Sequence, residues 1–497
     1  MRQPTTTPPS TPDPTAAVAI PFAAIVLAML PAVLDQTILA TALPTIAGDL
    51  GRLGDLSWVV TAYVVAAAAS TPLWGKLGDR LGRKRLLELA LGLFLTASAA
   101  CGLAQDITAL VVTRGVQGVA AGGLMTLAMA AVGDLVAPRE RGRYQGYIAA
   151  TFAAATIVGP LLGGLLVEHV GWRWVFYVNL PVGLLALAGL RLRLPSPPVE
   201  RPAAPLDLLG AALLAGGTTT LMLACLWGGD RYGWSSPTIV GLMAATVTLA
   251  VALVVRERRA VDPIVPLDLL RSRNVAVASG ALFLTTAAMF AITVFVPLFL
   301  QATTGASPTE AGLLLIPAML GIALSTNVSG RLIARSGRYK AFPIAGLALM
   351  TVALTAMAIV AGHPSRTTAG VALAVFGLGF GMVGQVLIVA VQNSTDRRRL
   401  GVATATTGFF RALGGAVGAA ALGAVFAAHA GGTRVTGSAA TAAAPVIDGV
   451  QAVFVVAAPI ALLGLLVTLL LVEVPLQSAR RPEPRPAADP RPARPAV

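Results

Sequence analysis

Long apolar runs separated by short polar breaks fill the chain from one end to the other. A helix needs roughly 20 mostly apolar residues to cross the hydrocarbon core of a bilayer. Windows of that kind fall at 17–43, 58–75, 86–104, 108–133, 144–167, 174–194 and 207–227. Seven more follow at 237–255, 275–300, 309–331, 341–362, 367–391, 402–428 and 449–473. The runs consist of Ala, Leu and Val and lack the two-residue alternation of a membrane barrel. The pattern therefore predicts an all-α integral membrane protein with fourteen spans.

The polar breaks test that count. With the N-terminus inside, the inward segments hold 29 of the 36 Lys and Arg residues. The outward loops hold five, Arg52, Arg173, Arg231, Arg366 and Arg434, while Arg114 and Arg411 stay within spans. This asymmetry is the positive-inside rule, and miscounting one helix would scramble it. Both termini are therefore expected on the cytoplasmic side. Trp58, Trp74, Trp172, Trp174, Trp227 and Trp234 fall near predicted interfaces, where their amphipathic rings belong.

The chain also repeats itself. GKLGDRLGRKR at 75–85 returns as GRLIARSGRYK at 330–340, an offset of 255. At the same offset Gly146, Gly159 and Gly163 fall on Gly401, Gly414 and Gly418. A register shared over some seventy residues predicts two parallel six-helix halves, over 17–194 and 273–473. The segment 195–272 then carries two additional spans between them. Residues 1–16 and 474–497, rich in Pro with Thr or Arg, are expected to be disordered tails.

Composition narrows the functional classes. Only 12% of residues are charged and mean hydropathy is +0.79, against about 25% charged in a soluble protein. The net charge of +14 belongs to the inward loops, so no nucleic-acid partner is expected. Cys101 and Cys225 sit in apolar runs without metal-ligand spacing, and His169, His363 and His429 fall near outer loops. No metal and no cofactor is expected, nor does any nucleophile–base pair or nucleotide-binding glycine loop suggest a membrane enzyme.

Chemistry inside the spans is sparse. Asp35 is the one acidic residue well inside a span, and an intramembrane ionisable group marks a functional site by default. Low-dielectric surroundings favour the neutral form of a carboxyl group, which suits such a group to carrying a proton. Asp35 lies nine residues before Pro44, about 13 Å deep, and Arg114 six residues into the fourth span, about 9 Å deep. The two are expected to meet in the first half as a proton-coupling pair; a purely structural salt bridge is the alternative. The offset sends them to Phe290 and Ala369, so the second half lacks this chemistry. Polar or adaptable groups in other spans, Gln36, Gln117, Phe290, Gln301, Asn327 and Gln385, are candidate cavity residues.

Two motifs carry more than packing. In the 75–85 loop, positive-inside accounts for the basic residues but not for Gly75, Asp79 and Gly82. Asp79, beside Arg80 and Arg83, could cap the third helix or pair across the interface between the halves. Either role would make the loop a cytoplasmic latch away from the substrate. In the fifth span Gly159-Pro160 frees a backbone carbonyl, while Gly146, Gly163 and Gly164 allow close approach, expected as a hinge between the halves.

With these residues in view, the chain resembles the major facilitator superfamily, specifically its fourteen-helix drug:proton antiporters. GKLGDRLGRKR resembles the family's loop after the second helix. LVVTRGVQGVAA at 110–121 resembles its fourth-helix motif, with Arg114 as the buried arginine. GYIAATFAAATIVGPLLGG at 146–164 is similar to its antiporter helix, LDQTILATALP at 34–44 to its first-helix motif, and WRWVFYVNLP at 172–181 is also typical. Ala155, Ala40 and Ala334 depart from the usual Gly, Asn and Asp of these motifs.

The resemblance implies a monomeric exporter of amphipathic, often cationic compounds, with protons as the counter-substrate and the proton gradient as energy source. A dedicated exporter of one metabolite or antibiotic shares every motif, and a proton-coupled importer is disfavoured by the GP-x-x-GG of the fifth span. Arg outnumbers Lys 33 to 3, which suggests a GC-rich bacterial genome and the bacterial cytoplasmic membrane as location.

Overall fold

The computed structural model describes residues 14–50, 56–138, 140–196, 206–229, 231–296, 298–299, 315–360, 366–429 and 443–476. Fourteen helices long and apolar enough to span a membrane occur among them. They are α1 (Pro14–Leu50), α2 (Leu56–Leu81), α3 (Arg83–Gly102), α4 (Ile107–Leu135) and α5 (Arg141–His169). Next come α6 (Trp174–Arg193), α7 (Leu208–Trp227), α8 (Pro237–Glu257), α9 (Arg273–Phe295) and α10 (Ile316–Ser336). The last are α11 (Ala341–Val360), α12 (Thr367–Asn393), α13 (Leu400–His429) and α14 (Ala443–Leu469). Each predicted window corresponds to one helix.

The departures are local. Helix α1 begins at Pro14, inside the expected tail, and runs past the window's end at 43 to Leu50. Helix α6 is interrupted at Val178, α9 ends in a π turn over Ala291–Phe295, and α12 is interrupted between Gly381 and Gly384. Hydropathy cannot register such breaks, because the residues at them remain apolar. The expected C-terminal tail is also shortened, since Val474 N–H donates to the Tyr339 hydroxyl at 3.0 Å and Leu476 is buried; residues 1–13 and 477–497, and Gln301, lie outside the described residues.

Helices α1–α6 pack among themselves and α9–α14 among themselves, while α7 and α8 form a hairpin with α7 against α2 and α13. The halves meet along α2·α13 and α5·α10, and the 255-residue repeat explains why those two pairs are alike. A Cβ on Gly75 would come within 2.7 Å of the Gly401 carbonyl oxygen, and one on Gly330 within 2.6 Å of the Gly142 carbonyl carbon. Both pairs lie at the face that carries the basic loops. The repeat also shows in the backbone: Gly82 and Gly337, one offset apart, have φ of 95° and 71°. L-residues avoid that region, so the chain needs glycine to turn there.

Glycine sets the helix spacing within the second half too. A Cβ on Gly377 of α12 would lie 2.8 Å from the Ala318 Cα of α10. Gly377→Leu should therefore force the two helices apart, costing about 1–3 kcal/mol or more. The check is a lower melting temperature and a smaller monodisperse fraction after detergent extraction.

Candidate functional site

Asp35 and Arg114 meet. The Arg114 Nη1 donates to Asp35 Oδ2 at 2.5 Å, with side-chain exposures of 1% and 0%. The similar depth expected for the two from the residue count agrees with this contact, although α1 extends beyond Pro44 to Leu50. Around them stands a polar cluster drawn from five helices. Gln117 Nε2 donates to Asp35 Oδ1 at 3.0 Å, and Asn179 Nδ2 donates to the same oxygen at 3.3 Å. Both amides also donate to Ser98 Oγ, at 3.2 and 3.1 Å, and Ser98 donates to the Phe176 carbonyl at 2.9 Å. Arg114 further donates to Gln117 Oε1 at 2.7 Å and to the Val59 carbonyl at 3.3 Å, and lies 4.2 Å from the Tyr63 ring centroid.

The carboxylate thus receives three donors, against about four that its two oxygens can accept. The Asn179 Oδ1 is buried and has no partner among the described residues.

Tyr63 is the partition between this cluster and a central cavity of about 230 Å³. Its ring stacks on Arg114 on one side and lines the cavity on the other. The polar wall consists of Gln36, Tyr63, Thr71, Thr126, Gln385, Thr404, Thr407 and Arg411, and Met29, Met125, Met129 and Phe152 supply apolar surface. Methionine adapts its shape to different partners, so this wall fits cargo of irregular outline. Of the cavity residues expected from sequence, Gln36 and Gln385 line it. Gln117 instead belongs to the charge cluster. Asn327 donates to the Gly146 carbonyl at 3.3 Å in the α5·α10 contact, and Phe290 packs against the apolar core.

The 75–85 segment, expected as a loop, is the end of α2 and the start of α3 joined at Gly82, and it ties the halves together at the basic face. Asp79 accepts from the backbone N–H groups of Gly401 and Val402, both at 2.9 Å, and from Arg83 at 2.9 Å. It caps the N-terminus of α13, where the helix dipole favours a negative charge, and not that of α3, whose start at Gly82 has no side-chain cap. Arg83 also pairs with Asp134 and donates to the Ala130 carbonyl at 3.0 Å. Lys76 and Arg80 pair with Asp262, which follows α8. Farther along the same connection Asp268 accepts from Arg399 at 2.5 Å, and that hydrogen bond holds its carboxyl below the usual carboxylate range. Gln392 Nε2 donates to the Met129 carbonyl at 3.2 Å, joining α12 to α4. These contacts join the halves at the basic face, and none of the residues of the 75–85 motif lines the cavity.

The fifth-span motif divides in two. Gly146 faces Asn327 of the other half. A Cβ on Gly159, next to Pro160, would lie 2.6 Å from Thr37 Cβ, and one on Gly163 would lie 2.8 Å from the Ile38 carbonyl oxygen. Gly159 and Gly163 therefore pack on α1 of their own half, while Gly164 has nothing within 4 Å. Their repeats Gly414 and Gly418 pack in the same way on α9, against Phe283 and Ala287. The expected hinge between halves does not apply to these positions: the helix needs close approach to its own first neighbour.

Sequence reasoning missed Tyr63, Ser98 and Asn179. The signal available was a polar side chain inside an apolar run, which Ser98 and Asn179 share with many residues that only pack.

Comparison with known proteins agrees with this architecture. The family model described as Major Facilitator Superfamily matches residues 25–419. An uncharacterized MFS-type transporter of Mycobacterium tuberculosis is 38% identical over 481 residues, covering 92% of this chain and 69% of the relative. The multidrug transporter protein MdtP of Bacillus subtilis is 35% identical over 411 residues, covering 82% and 75%. Among solved structures, the human organic anion transporter MFSD10 superposes with a TM-score of 0.63 at 18% identity, covering 92% of this chain and 100% of that one. At that identity the likeness is one of fold alone. From the fourteen helices, the paired halves and the family match, the chain belongs to the major facilitator superfamily of transporters.

Proposed function

We propose that this transporter is a proton-coupled antiporter that exports amphipathic compounds across a bacterial cytoplasmic membrane by alternating access. The observation that carries the reading is the buried Asp35–Arg114 pair, set behind Tyr63 from a cavity that can hold cargo. A proton arriving on Asp35 neutralises the carboxylate and releases Arg114 from its partner. That weakens the link between α1 and α4, the helices whose positions shape the cavity wall. Export as the direction is supported by relatives named as multidrug transporters and efflux pumps.

Everted membrane vesicles, acidified inside by respiration, test this directly. Adding a carried dye should raise the internal pH, and vesicles without the protein should show no such change. A panel of anionic, neutral and cationic amphipathic dyes covers the unknown cargo. If no dye drives proton release, antiport is the wrong reading.

A further inference from the structure

Arg411 is the one charged side chain on the cavity wall among the described residues. It lies eleven residues beyond the start of α13, about 17 Å along the helix. That is roughly the middle of a 30 Å hydrocarbon core. Its side chain is exposed, and at that depth the exposure is to the cavity. No carboxylate pairs with it among the described residues, and no side chain accepts a hydrogen bond from it; only its backbone carbonyl is engaged, by Thr286 at 2.8 Å. The buried carboxylates of the neighbouring clusters already have partners: Asp35 pairs with Arg114, and Asp79 with Arg83.

A guanidinium at membrane depth is costly unless something neutralises it. Positive-inside does not account for Arg411, because it stands in mid-span and not in an inward loop. Helix capping does not account for it either, since α13 continues to His429. We infer that the cargo supplies the missing charge: the cavity recognises amphipathic anions, with a carboxylate, sulfonate or similar group of paired oxygen acceptors held by Arg411 and the apolar part against Met29, Met125 and Phe152. Guanidinium geometry suits such a group, offering paired N–H donors. A cationic compound in the same cavity would face an unscreened like charge.

The inference rests on the transport reading above and concerns binding, so it can be tested apart from proton coupling. Equilibrium dialysis of purified protein compares 2-naphthalenesulfonate with 1-methylquinolinium, fused-ring compounds of similar size and opposite charge. The wild type should bind the sulfonate at least about tenfold more tightly, the effect of one charge-assisted contact. Arg411→Gln should lose about that factor for the sulfonate alone, Arg411→Lys should keep most of it, and Arg411→Glu should reverse the order. Equal affinities in the wild type, unchanged sulfonate binding in Arg411→Gln, or no saturable sulfonate binding would each overturn the inference. The Lys variant, retaining charge and bulk, separates loss of recognition from misfolding. If vesicles then show proton and cargo moving in the same direction, antiport falls while the anion preference stands.

Discussion

Asp35→Asn is expected to abolish transport driven by a pH gradient, by a factor of about 100 or more, while exchange of labelled for unlabelled cargo continues. The variant keeps the size and most hydrogen bonds of the aspartate but cannot take up a proton. It also leaves Arg114 buried without its counter-charge, a change that costs about 3–5 kcal/mol in comparable sites. Loss of activity alone would thus be ambiguous between coupling and stability. The double variant Asp35→Asn/Arg114→Gln resolves this, because it removes both charges of a pair whose side chains are 0% and 1% exposed. Melting temperature should largely recover in the double variant, since neutral isosteres remove the uncompensated charge. Gradient-driven transport should not recover. A double variant that still carries cargo against a pH gradient would reduce the pair to a brace between α1 and α4.

Asp79→Ala should have the second largest effect, on the balance of conformations and not on binding. Asp79 holds two backbone N–H groups of α13, across the interface between the halves, and the Arg83 guanidinium of its own half. Hydrogen bonds to charged groups contribute about 1.5–3 kcal/mol each and are not additive. A combined loss of about 3 kcal/mol shifts a two-state equilibrium by roughly a factor of 100. The probe is a cysteine at Thr404, a cavity-wall residue 5% exposed in this structure, in a background with Cys225→Ser. Alkylation by a membrane-impermeant reagent from the basic side should accelerate at least about tenfold in Asp79→Ala. Cargo affinity should stay within about threefold, with slower turnover. An unchanged alkylation rate would show that Asp79 does not govern closure; a large fall in affinity would place it nearer the cargo path than its position allows.

The sequence was most informative where physics leaves few choices. Lipid forces long apolar helices, the membrane potential and insertion machinery force the charge asymmetry, and a lone carboxylate in an apolar run has few explanations besides a site. The Asp35–Arg114 pair was therefore legible before any coordinates. The repeat was equally legible, and it foretold that Gly75 and Gly330 would do matching work. What stayed hidden was which neighbour each small or polar residue meets. Gly159 and Gly163 looked like interface residues, yet face α1, because helix rotation decides the partner and glycine spacing does not encode rotation. Gln117 and Gln385 look alike in sequence; one solvates Asp35 and the other lines the cavity. Nothing in the sequence singled out Asp262, because its pairing with Lys76 and Arg80 depends on how the α8–α9 connection crosses the basic face.

Arg411, without a carboxylate partner among the described residues, also bears on what drives the transporter. Moving one elementary charge across the membrane is worth about 2.3 kcal/mol per 100 mV. A cation leaving as a proton enters moves no net charge, so the voltage contributes nothing. An anion leaving as a proton enters moves two charges in the favourable electrical sense, about 4.6 kcal/mol per 100 mV. One pH unit adds about 1.4 kcal/mol for the same proton. With Arg411 selecting anions, the voltage would outweigh the pH gradient, and export would persist in alkaline surroundings where a cation exchanger stalls.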